Sequence, residues 1–167
     1  MYDELTKEDI AKMQAELEDR IVNQRKVLLE EVKRCREFGD LSENFEYKEA
    51  KRAKNRNESR IRYLQNMIKT AKVIDDSSDA DSVGLYDKVE IYIPEDDETQ
   101  IIKVVTTIRI NPLDGLISKE SPLGKAVLGR KVGDKVTVCV SDTYSYEVEI
   151  KYIEKGEDDG SAPILTY

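Results

Sequence analysis

Apolar and small residues recur at three-and-four spacing through Ile10, Met13, Leu17, Ile21, Leu28, Val32 and Cys35, with Gln24 filling the gap in the series. That period marks an α-helix with one buried stripe. The series stops at Gly39 and resumes at Tyr47, Ala50, Lys54, Asn57, Ile61, Leu64, Ile68 and Ala71. A stripe so narrow is buried most economically against a single partner, so the pattern predicts two helices of matched length folded into an antiparallel hairpin. At about 1.5 Å per residue, an arm from Ile10 to Phe38 is on the order of 40 Å long. The pairing sets Leu17 beside Ile61 and Asn66, Val32 beside Ala50, and Asn23 and Gln24 toward Asn57, a polar layer that fixes register.

Helical patterning ends after Asp75. "DDSSDADS" is short, polar and acidic and reads as a linker. Beyond it, "VGLYDKVEIYI", "TQIIKVVTTIRI", "DKVTVCV" and "YSYEVEIKYIE" alternate and are rich in Val, Ile and Tyr, which predicts strands. Between the second and third lies "SPLGKAVLG", where Ser121 is an N-cap, Pro122 the first helical residue and Gly129 the stop. The expected fold class is α+β. Residues 1–75 form the hairpin, 76–82 a linker and 83–156 a small α+β domain, with 157–167 a flexible tail.

Composition adds to this picture. Hydrophobic residues make up 39%, aromatics 7% and charged residues 37%, with no Trp, which suits long exposed helices better than one compact globule. A net charge of -8 argues against general nucleic-acid binding, which needs surplus Lys and Arg to displace counterions from phosphates. The charge is uneven, however. From Lys48 to Lys72 there are nine basic residues against Glu49 and Glu58, whereas Val73 onward holds twenty acids and ten bases. A local positive stripe of this kind steers one anionic partner, although a solvated helix face accounts for most of it. With two distant cysteines and no His, a structural zinc site or a CxxC redox motif is excluded. No stretch approaches the roughly 18 apolar residues needed to span a bilayer, so a soluble cytoplasmic protein with no membrane partner is expected.

The break itself reads "FGDLSENFEY". Gly39 suits the position after a helix, where a positive φ is wanted. Asp40 is a good N-cap for the outgoing helix, and Glu43 three residues on is its capping-box partner. The same two carboxylates sit at the end of a rod. Two oxygen ligands alone make a poor Mg²⁺ site, since that ion takes about six, but they can complete a site whose other ligands come from another macromolecule.

"CREFGDLSENFEYKEAK", residues 35–51, "AKVID" at 71–75 and "SKESPLGKAVLGRKVGDKVTV", residues 118–138, together resemble the signatures of the Gre family of bacterial transcript cleavage factors, GreA and GreB. The resemblance covers nearly the whole chain. It implies an FKBP-like fold for the second domain and a hairpin that enters the secondary channel of RNA polymerase when the 3′ end of backtracked RNA has been extruded. By motif match, Asp40 and Glu43 are the acids that help the polymerase retain a second Mg²⁺, bound jointly with the polymerase and not by the isolated protein, and position the attacking water. The protein then stimulates the polymerase's own cleavage activity and is not an enzyme alone. Arg36, Ser42, Asn44, Lys51 and Arg52 are the candidate contacts to RNA or polymerase, and Ser121 and Pro122 belong to the docking loop. Phe45 stands where the family usually carries alanine, and Lys48 where histidine is common. A channel-inserting rod suggests a monomer. Two alternatives stay open: a channel-binding inhibitor of the same shape, and a peptidyl-prolyl isomerase with a helical appendage. The second is disfavoured because the chain lacks Trp and both Phe residues, Phe38 and Phe45, lie at the hairpin tip.

Overall fold

A computed structural model describes residues 2–39 and 44–166. The chain forms two compact units, one of Met1–Asp3 and Ile10–Ala71, the other of Glu4–Asp9 and Lys72–Tyr167.

In the first unit the incoming arm comprises α1 (Lys7–Asp19), whose first turn belongs to the second unit, a π-helical turn (Arg20–Gln24) and α2 (Arg25–Arg36). The returning arm is α3 (Phe45–Thr70), 26 residues and therefore about 39 Å long. The expected stripe is present. Cys35, Ala50, Asn57, Ile61 and Leu64 are buried, and Leu17, Ile21, Gln24, Leu28 and Val32 half-buried, while Val22 and Val27 face solvent.

The π turn is absent from the sequence expectation, and it changes the polar layer. Its widened ring closes where the Arg25 N–H donates to the Arg20 carbonyl. Asn57 then meets Arg20 and not Asn23 or Gln24: its Oδ1 accepts from the Arg20 guanidinium at 2.9 Å and its Nδ2 donates to the Arg20 carbonyl at 3.3 Å. Asn23 and Gln24 instead donate to the Asp19 carboxylate at 2.8 and 2.6 Å. The layer extends to Glu16, which accepts from Arg20 at 2.7 Å and takes both Nε and Nη2 of Arg60 at 2.9 and 3.0 Å. Arg60 therefore leaves the solvated basic stripe and is buried.

The second unit holds β1 (Glu4–Leu5), which pairs in parallel with β2 (Lys72–Val73), and a five-stranded sheet. The sheet comprises β3 (Lys88–Ile93), β4 (Glu98–Val105), β5 (Leu116–Ser118), β6 (Lys135–Cys139) and β7 (Ser145–Glu154), ordered β5-β4-β3-β7-β6. All neighbours are antiparallel except β4 and β5. A bulge in β7 opposite Glu90 and Ile91 bends the sheet. Period-two alternation puts Val89, Ile91, Val104, Val138, Val148 and Ile150 on one buried face, with Val127 of the helix α4 (Pro122–Val127) in the same core.

Three boundaries differ from the sequence reading. Residues 4–9 join the second unit, because Thr6 and Asp9 bond each other's backbone N–H at the start of α1, a reciprocal cap, and Asp9 then ion-pairs with Arg109. The expected linker 76–82 is fixed in place. The Lys155 ammonium donates to Ser78 Oγ at 2.6 Å, to the Asp79 and Ser82 carbonyls at 3.0 and 2.9 Å, and to Asp87 at 2.6 Å. The tail expected to be flexible is tied as far as Leu165, whose N–H donates to the Ile108 carbonyl at 2.8 Å, and Asp158 and the Ala162 carbonyl accept from Arg109. Among the described residues no helix is long and apolar enough to cross a membrane.

Candidate functional site

The end of the hairpin is built from the last turn of α2 and the first of α3. Lys33, Arg34 and Arg36 crowd the C-terminus of α2, where cations complement the partial negative charge of unpaired carbonyls. The arm ends at Arg36, with Glu37 as C-cap, and Gly39 takes φ 116°, a conformation closed to residues with a Cβ. Asp40, Ser42 and Glu43 lie outside the described residues.

The cap of α3 falls on Asn44 and not on Asp40. Its Oδ1 accepts from the Tyr47 N–H at 3.0 Å, and its Nδ2 donates to the Cys35 carbonyl at 2.8 Å. One amide side chain thus starts the returning arm and bonds the incoming one. Asn suits this better than Asp, because a carboxylate has no N–H to offer a carbonyl. The N-cap of α3 is therefore Asn44, and the expected capping roles of Asp40 and Glu43 lie outside the described residues.

Around this joint the candidate contact residues take different positions. Arg36 and Lys51 are exposed, and Arg52 is exposed with its guanidinium 2.6 Å from Glu49. Phe38 and Phe45 are exposed as well, with the Arg34 guanidinium 5.5 Å from the first ring's centre and the Lys48 ammonium 5.6 Å from the second. Arg34 also holds Glu31, whose carboxyl is pushed below the ordinary range by that hydrogen bond. Burial raises the Cys35 thiol, and Glu31 beside it raises it further, so this cysteine is a packing residue and not a thiolate. Arg34 was not among the sequence candidates; its only signal was a cation three and four residues from an acid and an aromatic.

In the second unit Ser121 caps α4 as expected, accepting from the Gly124 N–H at 3.0 Å and donating to the Ser118 carbonyl at 2.7 Å, with Pro122 exposed at the first helical position. Gly124 is needed there, since a Cβ would sit 2.1 Å from the Ser118 carbonyl oxygen. A cavity of about 500 Å³ nearby is lined by the acidic segment from Asp75 to Asp79, with Ser82, Leu85 and Lys119, and by no aromatic side chain. Such a lining gives proline none of the aromatic walls an isomerase would need.

Comparison with known proteins bears on both units. The family model described as transcription elongation factor, N-terminal, matches residues 4–73, and that described as transcription elongation factor, GreA/GreB, C-term, matches residues 77–155. The transcription elongation factor GreA of Oenococcus oeni is 41% identical over 155 residues, covering 92% of this chain and 95% of that protein. The protein of the same name from Clostridium beijerinckii is 43% identical over 141 residues, covering 83% and 87%. Among solved structures, GreA factor homolog 1 (Gfh1) of Thermus thermophilus is 26% identical with a TM-score of 0.44, covering 93% of this chain and all of that one.

Proposed function

Since the chain belongs to the GreA/GreB family of transcription elongation factors, we propose that it enters the secondary channel of RNA polymerase and stimulates endonucleolytic cleavage of backtracked nascent RNA. The observation that supports this reading is the hairpin: a returning arm of 26 residues, preceded in the sequence by the D-x-x-E motif and capped by Asn44. Asp40 and Glu43 are therefore not needed for the cap.

Those two carboxylates are hard oxygen donors, which fits Mg²⁺, and they leave most of its coordination to polymerase and water. When bound, the ion supplies Lewis-acid activation of water and charge neutralisation at the leaving oxygen. The rest of the work falls to this chain's side chains. Asp40 and Glu43 hold and orient, Arg36, Lys51 and Arg52 offset the repulsion between these acids and RNA phosphates, and Asn44 keeps the two arms joined while the end is inserted. Ser42 is a further contact at the same end. The second unit, read as an FKBP-like docking module, presents the Ser121–Pro122 turn to the rim of the channel. The protein acts as a cytoplasmic monomer and has no hydrolytic activity alone.

The test is a cleavage assay on stalled complexes with purified polymerase. The wild-type chain should release short 3′-terminal RNA fragments, and Asp40→Ala combined with Glu43→Ala should abolish release while polymerase binding persists. Unchanged release in the double variant would remove the metal role. Slowed elongation on all templates, with no fragments, would establish the inhibitor reading instead.

A further inference from the structure

Both phenylalanines of this chain stand at the end of the hairpin, and neither is used for packing: Phe38 is 66% exposed and Phe45 78%. In a chain this poor in aromatics, two open rings at one place call for an occupant. Their places in the chain converge on one carbonyl oxygen. The Phe38 N–H donates to the Cys35 carbonyl at 3.3 Å, and the side chain of Asn44, the neighbour of Phe45, donates to that same oxygen at 2.8 Å. Each ring has a cation near it, Arg34 for Phe38 and Lys48 for Phe45, while most of its surface stays open. Arg36 and Lys51, on the same two arms, are exposed as well.

Open aromatic faces interleaved with cations are what single-stranded nucleic acid binds, the rings stacking on bases and the cations following the phosphates. A protein surface would instead favour buried aliphatic neighbours, and the residues beside these rings are charged. We propose that Phe38 and Phe45 form a stacking platform for an unpaired base of the extruded RNA, holding the 3′ segment in place for cleavage. The inference rests on the cleavage reading above and adds positioning residues to it. The platform is specific to this chain, since it depends on Phe45 where alanine is usual in the resemblance.

The experiment uses stalled polymerase complexes whose extruded RNA carries 2-aminopurine near its 3′ end, so that stacking is read by fluorescence quenching independently of cleavage. Wild-type protein should quench the probe. Phe38→Ala combined with Phe45→Ala should restore the fluorescence and slow cleavage about tenfold. Phe38→Tyr combined with Phe45→Tyr, which keeps the π faces, should retain both readouts. Replacing the contacted nucleotide by an abasic site should slow cleavage by the wild-type protein and leave the alanine variant no slower than before. Cleavage without quenching would overturn the platform and leave the cleavage reading intact. Quenching without cleavage would keep the platform and overturn that reading. An alanine defect equally large on intact and abasic RNA, with weakened polymerase binding, would place the rings against protein and overturn the proposal.

Discussion

Each unit of this molecule buries an arginine, and the two are buried on different terms. Arg109 in the second unit has a fully buried side chain with two buried acids, Asp9 at 2.7 Å and Asp158 at 2.8 Å, and it also donates to the Ala162 carbonyl. Thr106 and the Thr6 N–H complete the shell of Asp9. Arg60 in the hairpin shares one carboxylate, Glu16, with Arg20, and that carboxylate keeps contact with water. The first arrangement joins three segments far apart in sequence, so losing any member leaves a charge stranded in a dry interior. The second sets the register of two neighbouring helices, a task that tolerates water. A core of aliphatic strands can carry such a network, whereas a two-helix seam with few buried residues holds its polar layer near the surface.

The strongest way to break this comparison is Arg109→Met, which strands Asp9 and Asp158 and should cost about 3–5 kcal/mol, read by urea unfolding. A variant as stable as the wild type would show that the clasp does not hold the chain ends. Asn57→Leu removes the acceptor for Arg20 and should cost only about 1 kcal/mol, because Glu16 still binds that guanidinium. Losses comparable to those of Arg109→Met would mean that the seam is as unforgiving as the core. Asn44→Ala should destabilise α3 by about 1 kcal/mol and speed exchange of the Tyr47 amide. Asn44→Asp restores the cap but not the bond to Cys35, so it should rescue that amide alone, and rescue of nothing would refute the cap.

The smallest effect is with acid. Burial pushes the Glu16 carboxyl up, but hydrogen bonds from Arg60 and Arg20 outweigh it, so its pKa lies below the ordinary 4.5. Glu4 in the second unit is held at about 2, first by the hydrogen bond from Lys119 and then by that from Lys72. A depressed carboxyl stabilises the fold fully above its unfolded pKa, and the contribution fades as pH falls through the folded value. Both contributions should therefore be intact above about pH 5 and shrink below 4.5, the Glu4 share persisting toward pH 2. Glu16→Gln and Glu4→Gln should each flatten the corresponding part of a stability-against-pH curve, and an unchanged curve for both would remove these pairs from the acid response.

Much of this was legible in the chain. The helical stripe from Met13 to Leu64 and the four alternating segments that became β3, β4, β6 and β7 were plain in the pattern, because a single buried face imposes a period. Short pairings left no such trace: β1 and β2 are two residues each, and β5 lies in parallel beside β4 after a loop. The π turn was invisible because one added residue barely disturbs three-and-four spacing. Arg109 leaves no local signal, since its partners Asp9 and Asp158 lie 100 and 49 positions away along the chain. At the hairpin end the sequence offers Asp40, Ser42 and Asn44, all residue types that cap well, and the hydrogen bond from the Tyr47 N–H is what identifies Asn44 as the cap of α3.

The bond from Asn44 to the Cys35 carbonyl has a practical side. It closes the peptide between residues 35 and 44 into a ring whose two ends are set by the stem. The stem is thereby held without help from the tip: an exchange of residues 40–43 that keeps Asn44 should leave the pairing of the two arms as it was.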